Sequence, residues 1–153
     1  MRDLTSAPAP AVTDADHVRG DARGEELVVM YADFSCPRCA VAAVRLKEAN
    51  TPTVFRHFAL KARHPRAVPL AQAAEAAALQ GAFWPFHDAL FLDQGHIDDP
   101  HLWERCERLG LDVGRFEADR RSEAVARRVA RDLRDGMRAG VANTPALLRP
   151  SVD

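Results

Sequence analysis

From Leu27 to Phe34 the chain is almost continuously apolar and rich in Val and Tyr, the pattern of a strand buried on both faces in the middle of a sheet. A second strand is predicted from Thr53 to Leu60, where Val54, Arg56 and Phe58 alternate with Phe55 and His57. Between them, Pro37 to about Ala49 reads as a helix with Val41, Val44 and Leu46 available for packing, ended by Asn50-Thr51-Pro52. Strand, helix, strand is a βαβ unit, so the two strands should be parallel with a right-handed crossover.

Helical spacing dominates the next stretch. An alanine-rich helix is predicted from Ala67 to Gln80, with Gly81 closing it. Phe83, Phe86, His87, Leu90 and Phe91 then form one apolar stripe on a helix from Phe83 to Leu92. Asp99 followed by Pro100 marks the start of a third helix, through Leu102, Trp103, Cys106 and Leu109 to Gly110. Asp112 should cap a short helix through Val113 and Phe116. Ser122 should cap a longer one in which Val125, Val129, Leu133 and Met137 recur every four residues, opposite a solvated face of Arg127, Arg128, Arg131 and Arg134. Ala146 to Arg149 reads as a final short strand.

Composition narrows the class. With 153 residues and 47% hydrophobic content, the chain is one domain with enough apolar material for a core. A net charge of -1 offers no electrostatic reason to expect nucleic acid or an anionic membrane as partner. No apolar window reaches transmembrane length. Residues 1–15 have Ala/Pro/Thr character and are expected to form a mobile arm ahead of a domain over residues 16–153. The first ten residues hold an acid and two prolines without an apolar core, unlike a signal peptide. The expected location is therefore cytoplasmic, or exported were a leader removed from a longer chain.

The chemistry concentrates where the first strand meets its helix, in Cys36-Pro37-Arg38-Cys39. Pro37 suits the first helical position, which makes Cys36 the N-cap and puts Cys39 one turn in. An N-cap side chain faces unpaired N–H groups and the positive end of the helix dipole, and both favour a thiolate over a thiol. An exposed attacking sulfur and a sheltered resolving one make a dithiol/disulfide switch. The ring they close is short, so a Cys36–Cys39 disulfide would stabilise the fold little and is better read as redox chemistry. Arg38 adds a positive charge that favours the reduced thiolate form. Three cysteines are too few for a disulfide framework, and the inward position of Cys106 makes it a structural thiol. A metal site built from Cys36, Cys39 and His57 or His64 lacks a second C-x-x-C or an H-x-x-x-H, so no metal is expected. His57, placed at a sheet edge, and His87 read as structural residues.

Asp16-His17-Val18-Arg19-Gly20 and then Asp33-Phe34-Ser35-Cys36-Pro37-Arg38-Cys39 resemble the opening of a DsbA-like thiol:disulfide oxidoreductase of the thioredoxin superfamily. Further matches follow in order: Gln80-Gly81-Ala82-Phe83-Trp84, His87-Asp88, Leu109-Gly110-Leu111-Asp112, and Gly140-Val141 leading to Thr144-Pro145. The resemblance implies an α/β thioredoxin-like fold with an all-helical insertion at about residues 63–139. It implies protein disulfide exchange by Cys36 and Cys39, supported by Phe34, Pro37 and Arg38. It also implies a cis-proline loop whose Thr144 and Pro145 contact a peptide substrate by strand addition. Partners would be protein or peptide thiols and disulfides and a dithiol redox partner, with no cofactor; the direction of net flow stays open. Two departures stand out. The acid that relatives carry six residues before the first cysteine is Met30 here, and the hairpin strand and closing helix expected after Pro145 are missing. A degenerate peptide-binding module with little redox turnover is the alternative.

Overall fold

The computed structural model describes residues 9–151. Its elements in chain order are β1 (His17–Arg19), β2 (Val28–Ala32), α1 (Pro37–Glu48), β3 (Thr53–His57), α2 (Ala67–Leu79), α3 (Phe83–Leu92), α4 (Asp99–Arg108), α5 (Val113–Arg120), α6 (Glu123–Arg138) and β4 (Ala146–Leu148). The four strands form one mixed sheet in the order β1-β3-β2-β4. β2 and β3 run parallel, joined through α1, with Val28 opposite Thr53 and Ala32 opposite His57. β1 adds antiparallel to β3 and β4 antiparallel to β2.

The apolar run of β2 is divided between two cores by the two-residue period of a strand. Met30 and Ala32 face a large cluster with α1, α2, α3 and Phe55, while Val29 and Tyr31 face a smaller one with Val54, Phe58 and Val141. Both faces of the central strand are therefore buried, as its composition predicts. On the second face α6 comes close enough that a Cβ at Gly136 would lie 2.8 Å from Phe58 Cδ1 and 3.0 Å from Tyr31 Cδ1. Glycine is the residue that this approach admits.

Several local expectations differ from the structure. β1 was not legible as a strand; it is three residues long, and Trp84 Nε1 donates to its Val18 carbonyl at 3.1 Å. With β1 in place β3 is interior, so His57 is fully buried and not at an edge. α4 is capped by Asp98, whose side chain accepts from the His101 amide, one residue ahead of the expected Asp99. Asp99 is thereby free to pair with Arg66 and Arg120.

On α6 the buried residues are Val125, Val129, Asp132 and Gly136, and Met137 is exposed. A strict four-residue repeat advances about 40° per step on a helix of 3.6 residues per turn, so it winds off the buried face. Arg128 leaves the expected solvated face, donating to the Ala15 carbonyl and approaching Asp132. In α1 the buried residues are Cys39 and Ala43; Leu46 packs against the core as expected, but Val41 is half exposed. Of the segment expected to be a mobile arm, residues 1–8 lie outside the described residues. Residues 9–15 are docked: Ala9 is buried and bridged to Pro150, and Arg56 Nη2 donates to the Ala11 carbonyl.

Candidate active site

β2 delivers the chain to the tip of α1 through Asp33, Phe34 and Ser35, and each of these is fixed. The buried Asp33 carboxylate accepts from the Ser35 amide at 2.9 Å and the Ser35 hydroxyl at 2.7 Å. Its carbonyl accepts from the Cys36 amide. Phe34 stacks on Phe55 with centroids 4.9 Å apart, and also contacts Phe91 and His87. Gln94, in the loop after α3, donates from Nε2 to the carbonyls of both Phe34 and Cys36 at 2.9 Å. A single loop glutamine carries no pattern that marks it in sequence, and its role comes only from the helical layer folding back over the turn.

Cys36 is the N-cap of α1, with Pro37 in the first turn. Its sulfur accepts the Cys39 amide at 3.4 Å, so the sulfur takes up one of the unpaired N–H groups of the helix start. No acidic residue lies in that first turn to neutralise the positive end of the helix. Pro37 and Arg38 are exposed, forming the tip between the two cysteines. Cys39 has no exposed surface, and burial pushes its thiol up to about 12, with the hydrogen-bonded Cys36 sulfur adding to the effect. Both thiols are free.

Cys36 is more covered than a freely exposed attacking sulfur, retaining 6% of its surface. The loop before β4 lies against it. Its thiol donates to the Thr144 carbonyl at 3.8 Å, and the Thr144–Pro145 peptide is cis. The structure thus brings Cys36, Cys39, Thr144 and Pro145, widely separated in sequence, to one place, with Phe34 beneath them. Cys106 is buried in the helical layer, where burial raises its thiol to about 11. Met30 is buried in the same core cluster as the two cysteines, and no acid takes its place on β2.

The model of the family described as Thioredoxin matches residues 12–148, which takes in every element described above. The chain belongs to the thioredoxin family. Among solved structures, a thioredoxin-like oxidoreductase from Silicibacter pomeroyi superposes with a TM-score of 0.76 at 27% identity, over 89% of this chain and 80% of that one. DsbA2 of Pseudomonas aeruginosa gives 0.70 at 26% identity, with the same coverage of 89% and 80%. Oxidised BdbD of Bacillus subtilis shares the fold, with a TM-score of 0.76 at 18% identity over 93% of this chain and 85% of that one. Curated relatives carry a different name: "Na(+)/H(+) antiporter NhaA 3" of Salinispora tropica is 42% identical over 144 residues, 89% of this chain and 22% of that protein. An NhaA antiporter of Herminiimonas arsenicoxydans is 38% identical over 142 residues, again 22% of its length. The chain thus spans about a fifth of those proteins, and the transport in their names belongs to the longer polypeptides.

Proposed function

We propose that this member of the thioredoxin family is a thiol:disulfide oxidoreductase acting on protein or peptide substrates through Cys36 and Cys39. Cys36 Sγ attacks one sulfur of a substrate disulfide, forming a mixed disulfide, and the other substrate sulfur leaves as a thiolate that takes up a proton. Cys39 then gives up its proton and attacks Cys36 Sγ. The Cys36–Cys39 disulfide forms, the substrate leaves with two more electrons, and a dithiol partner restores the pair. The reverse sequence oxidises a substrate. The observation that carries this reading is the Cys36 sulfur at the tip of α1, accepting the Cys39 amide and lying against the Thr144 carbonyl.

In this reading Thr144 and Pro145 form the edge along which the substrate backbone lies, and Arg38 at the exposed tip meets substrate charge. The cytoplasmic location expected from the sequence is part of the same proposal, and a reducing compartment would favour use as a reductase.

Cys39→Ser tests it. With the resolving thiol gone, incubation with a disulfide-bonded peptide should leave a covalent adduct on Cys36 that dithiothreitol releases. The absence of any adduct, with peptide still retained noncovalently, would favour the degenerate binding module. That alternative draws on the small exposure of Cys36 and on Met30 standing where an acid would help deprotonate Cys39.

A further inference from the structure

Away from the cysteine pair, polar side chains from three elements converge between the sheet and α2. His17 Nε2 lies 2.6 Å and His57 Nε2 2.7 Å from the same Glu75 Oε2. The donor atoms of the three residues all lie within 4.8 Å of one another. Sheet register brings the imidazoles together. His17 pairs with Phe55, so His57 stands two residues further along the neighbouring strand and on the same face. Glu75 is the exception on its helix, a buried carboxylate among the buried alanines Ala71, Ala73, Ala74, Ala76 and Ala77.

Two imidazoles and a carboxylate are the donor set that a zinc-type ion takes, with water in its fourth position. The fit can be tested on the distances. An ion about 2.0–2.2 Å from each donor holds tetrahedral ligands about 3.3 Å apart. Each His–Glu pair must therefore open by about 0.6 Å, within reach of side-chain rotation. Neither ring is committed elsewhere in a way that resists this. His57 is fully buried, and among the described residues its Nδ1 has no partner, so Glu75 is the one side chain hydrogen-bonded to the imidazole, which otherwise meets only the rings of Phe34, Phe55 and Phe83. His17 lies flat on Phe83, centroids 3.8 Å apart and planes 4° from parallel, which fixes its ring without using its nitrogens.

The surrounding charge is compatible with a cation. Arg128 approaches Glu75 Oε1 at 3.9 Å, but Asp132 lies 3.4 Å from the Arg128 Nε and offsets that charge. Oε2, the oxygen between the histidines, faces no other cation among the described residues. His17 is the partly exposed member of the three, its side chain 15% exposed against 8% for Glu75.

We propose that His17, His57 and Glu75 form a binding site for one divalent ion of the zinc class, tying the edge strand β1 and the end of β3 to α2. The site joins the sheet to the helical layer, and it is independent of the thiol exchange proposed above.

The test uses the full chain carrying Cys36→Ser and Cys39→Ser, so that thiolates do not compete for metal. After chelator treatment it is titrated with Zn2+ by calorimetry and with Co2+ by absorption spectroscopy. Expected are saturation at one ion per chain, a visible Co2+ spectrum without sulfur-to-metal charge transfer, and a rise in melting temperature with Zn2+. His17→Ala and Glu75→Gln, each added to that background and checked for folding by circular dichroism, should weaken binding about 100-fold or more. His17→Ala is the more conservative probe, since His17 lies at the partly exposed rim. No saturable binding by the cysteine-substituted chain, no melting shift, or affinity unchanged by His17→Ala would each overturn the proposal.

Discussion

The Cys36 sulfur lies 3.8 Å from the carbonyl oxygen of Thr144, a residue 108 positions away in the chain. The contact exists because β4, antiparallel to β2, brings the loop before it alongside the tip of α1. The same loop reaches the second cysteine. A hydrogen bond from the Thr144 side chain to the Cys39 sulfur works against the burial that keeps this thiol protonated. Thr144→Val should remove that help and slow the attack of Cys39 on a Cys36 mixed disulfide about 5-fold, the equivalent of one ordinary hydrogen bond of about 1 kcal/mol. Stopped-flow release of thionitrobenzoate from Cys36 measures the rate.

Burial pushes the Cys39 thiol up to about 12, well above the range of an ordinary thiol. The thiolate is the nucleophile, so at neutral pH only a small fraction of Cys39 is competent. The resolving step should accelerate about tenfold per pH unit between about pH 7 and 9, following that fraction. A rate flat over this interval would show that a group other than water-derived base accepts the proton. Met30→Ala would not change the slope, because a thioether carries no proton.

Asp88 joins three elements. Arg19 of β1 donates to both its oxygens at 3.0 and 2.9 Å, Lys47 of α1 to one, and His87 Nδ1 lies 2.9 Å away. Burial raises its pKa, but the hydrogen bonds from His87, Lys47 and Arg19 outweigh it and hold the carboxyl well below the usual carboxylate range. A carboxyl depressed in the folded state stabilises the fold above its unfolded pKa, and the stabilisation is lost as pH falls below about 3.8. Asp88→Asn should therefore cost about 1–3 kcal/mol at pH 7 and flatten the acid side of the stability profile. Urea denaturation at several pH values between 2 and 7 reads both effects.

Gly136→Ala on α6 gains helix propensity of about 1 kcal/mol but places a methyl 2.8 Å from the buried Phe58 ring. Phe58 and Tyr31 are both at most 2% exposed, so neither can swing into solvent. Overpacking of about 1–3 kcal/mol should exceed the propensity gain and lower the denaturation midpoint. An exposed helical control such as Gly114→Ala, whose added Cβ meets only Asp112 Oδ1 at 3.4 Å, should not lower it comparably.

What could be read in advance follows the range of the signal. The central strand, α1 with its Cys36 cap, α3 and the caps Asp112 and Ser122 rest on periodicity or on residues within one turn, and each lies where its local pattern puts it. β1 escaped because three residues with intermediate burial carry no alternation to detect. The inward turn of Arg128 and the cover over Cys36 depend on segments far away in sequence. So does the meeting of His17, His57 and Glu75, which a spacing search for metal ligands passes over because they lie on β1, β3 and α2. Gln94 belongs to the same class: its two hydrogen bonds are made to a turn about 60 residues earlier.

A glutathione redox titration of the full chain, quenched with an alkylating reagent and read by peptide mass spectrometry, addresses the exchange chemistry most directly. The expected result is one two-electron transition in which Cys36 and Cys39 become linked while Cys106 stays reduced and protected. Failure of the Cys36–Cys39 disulfide to appear at any glutathione ratio, with Cys36 unmodified or carrying glutathione as a stable adduct, would contradict it.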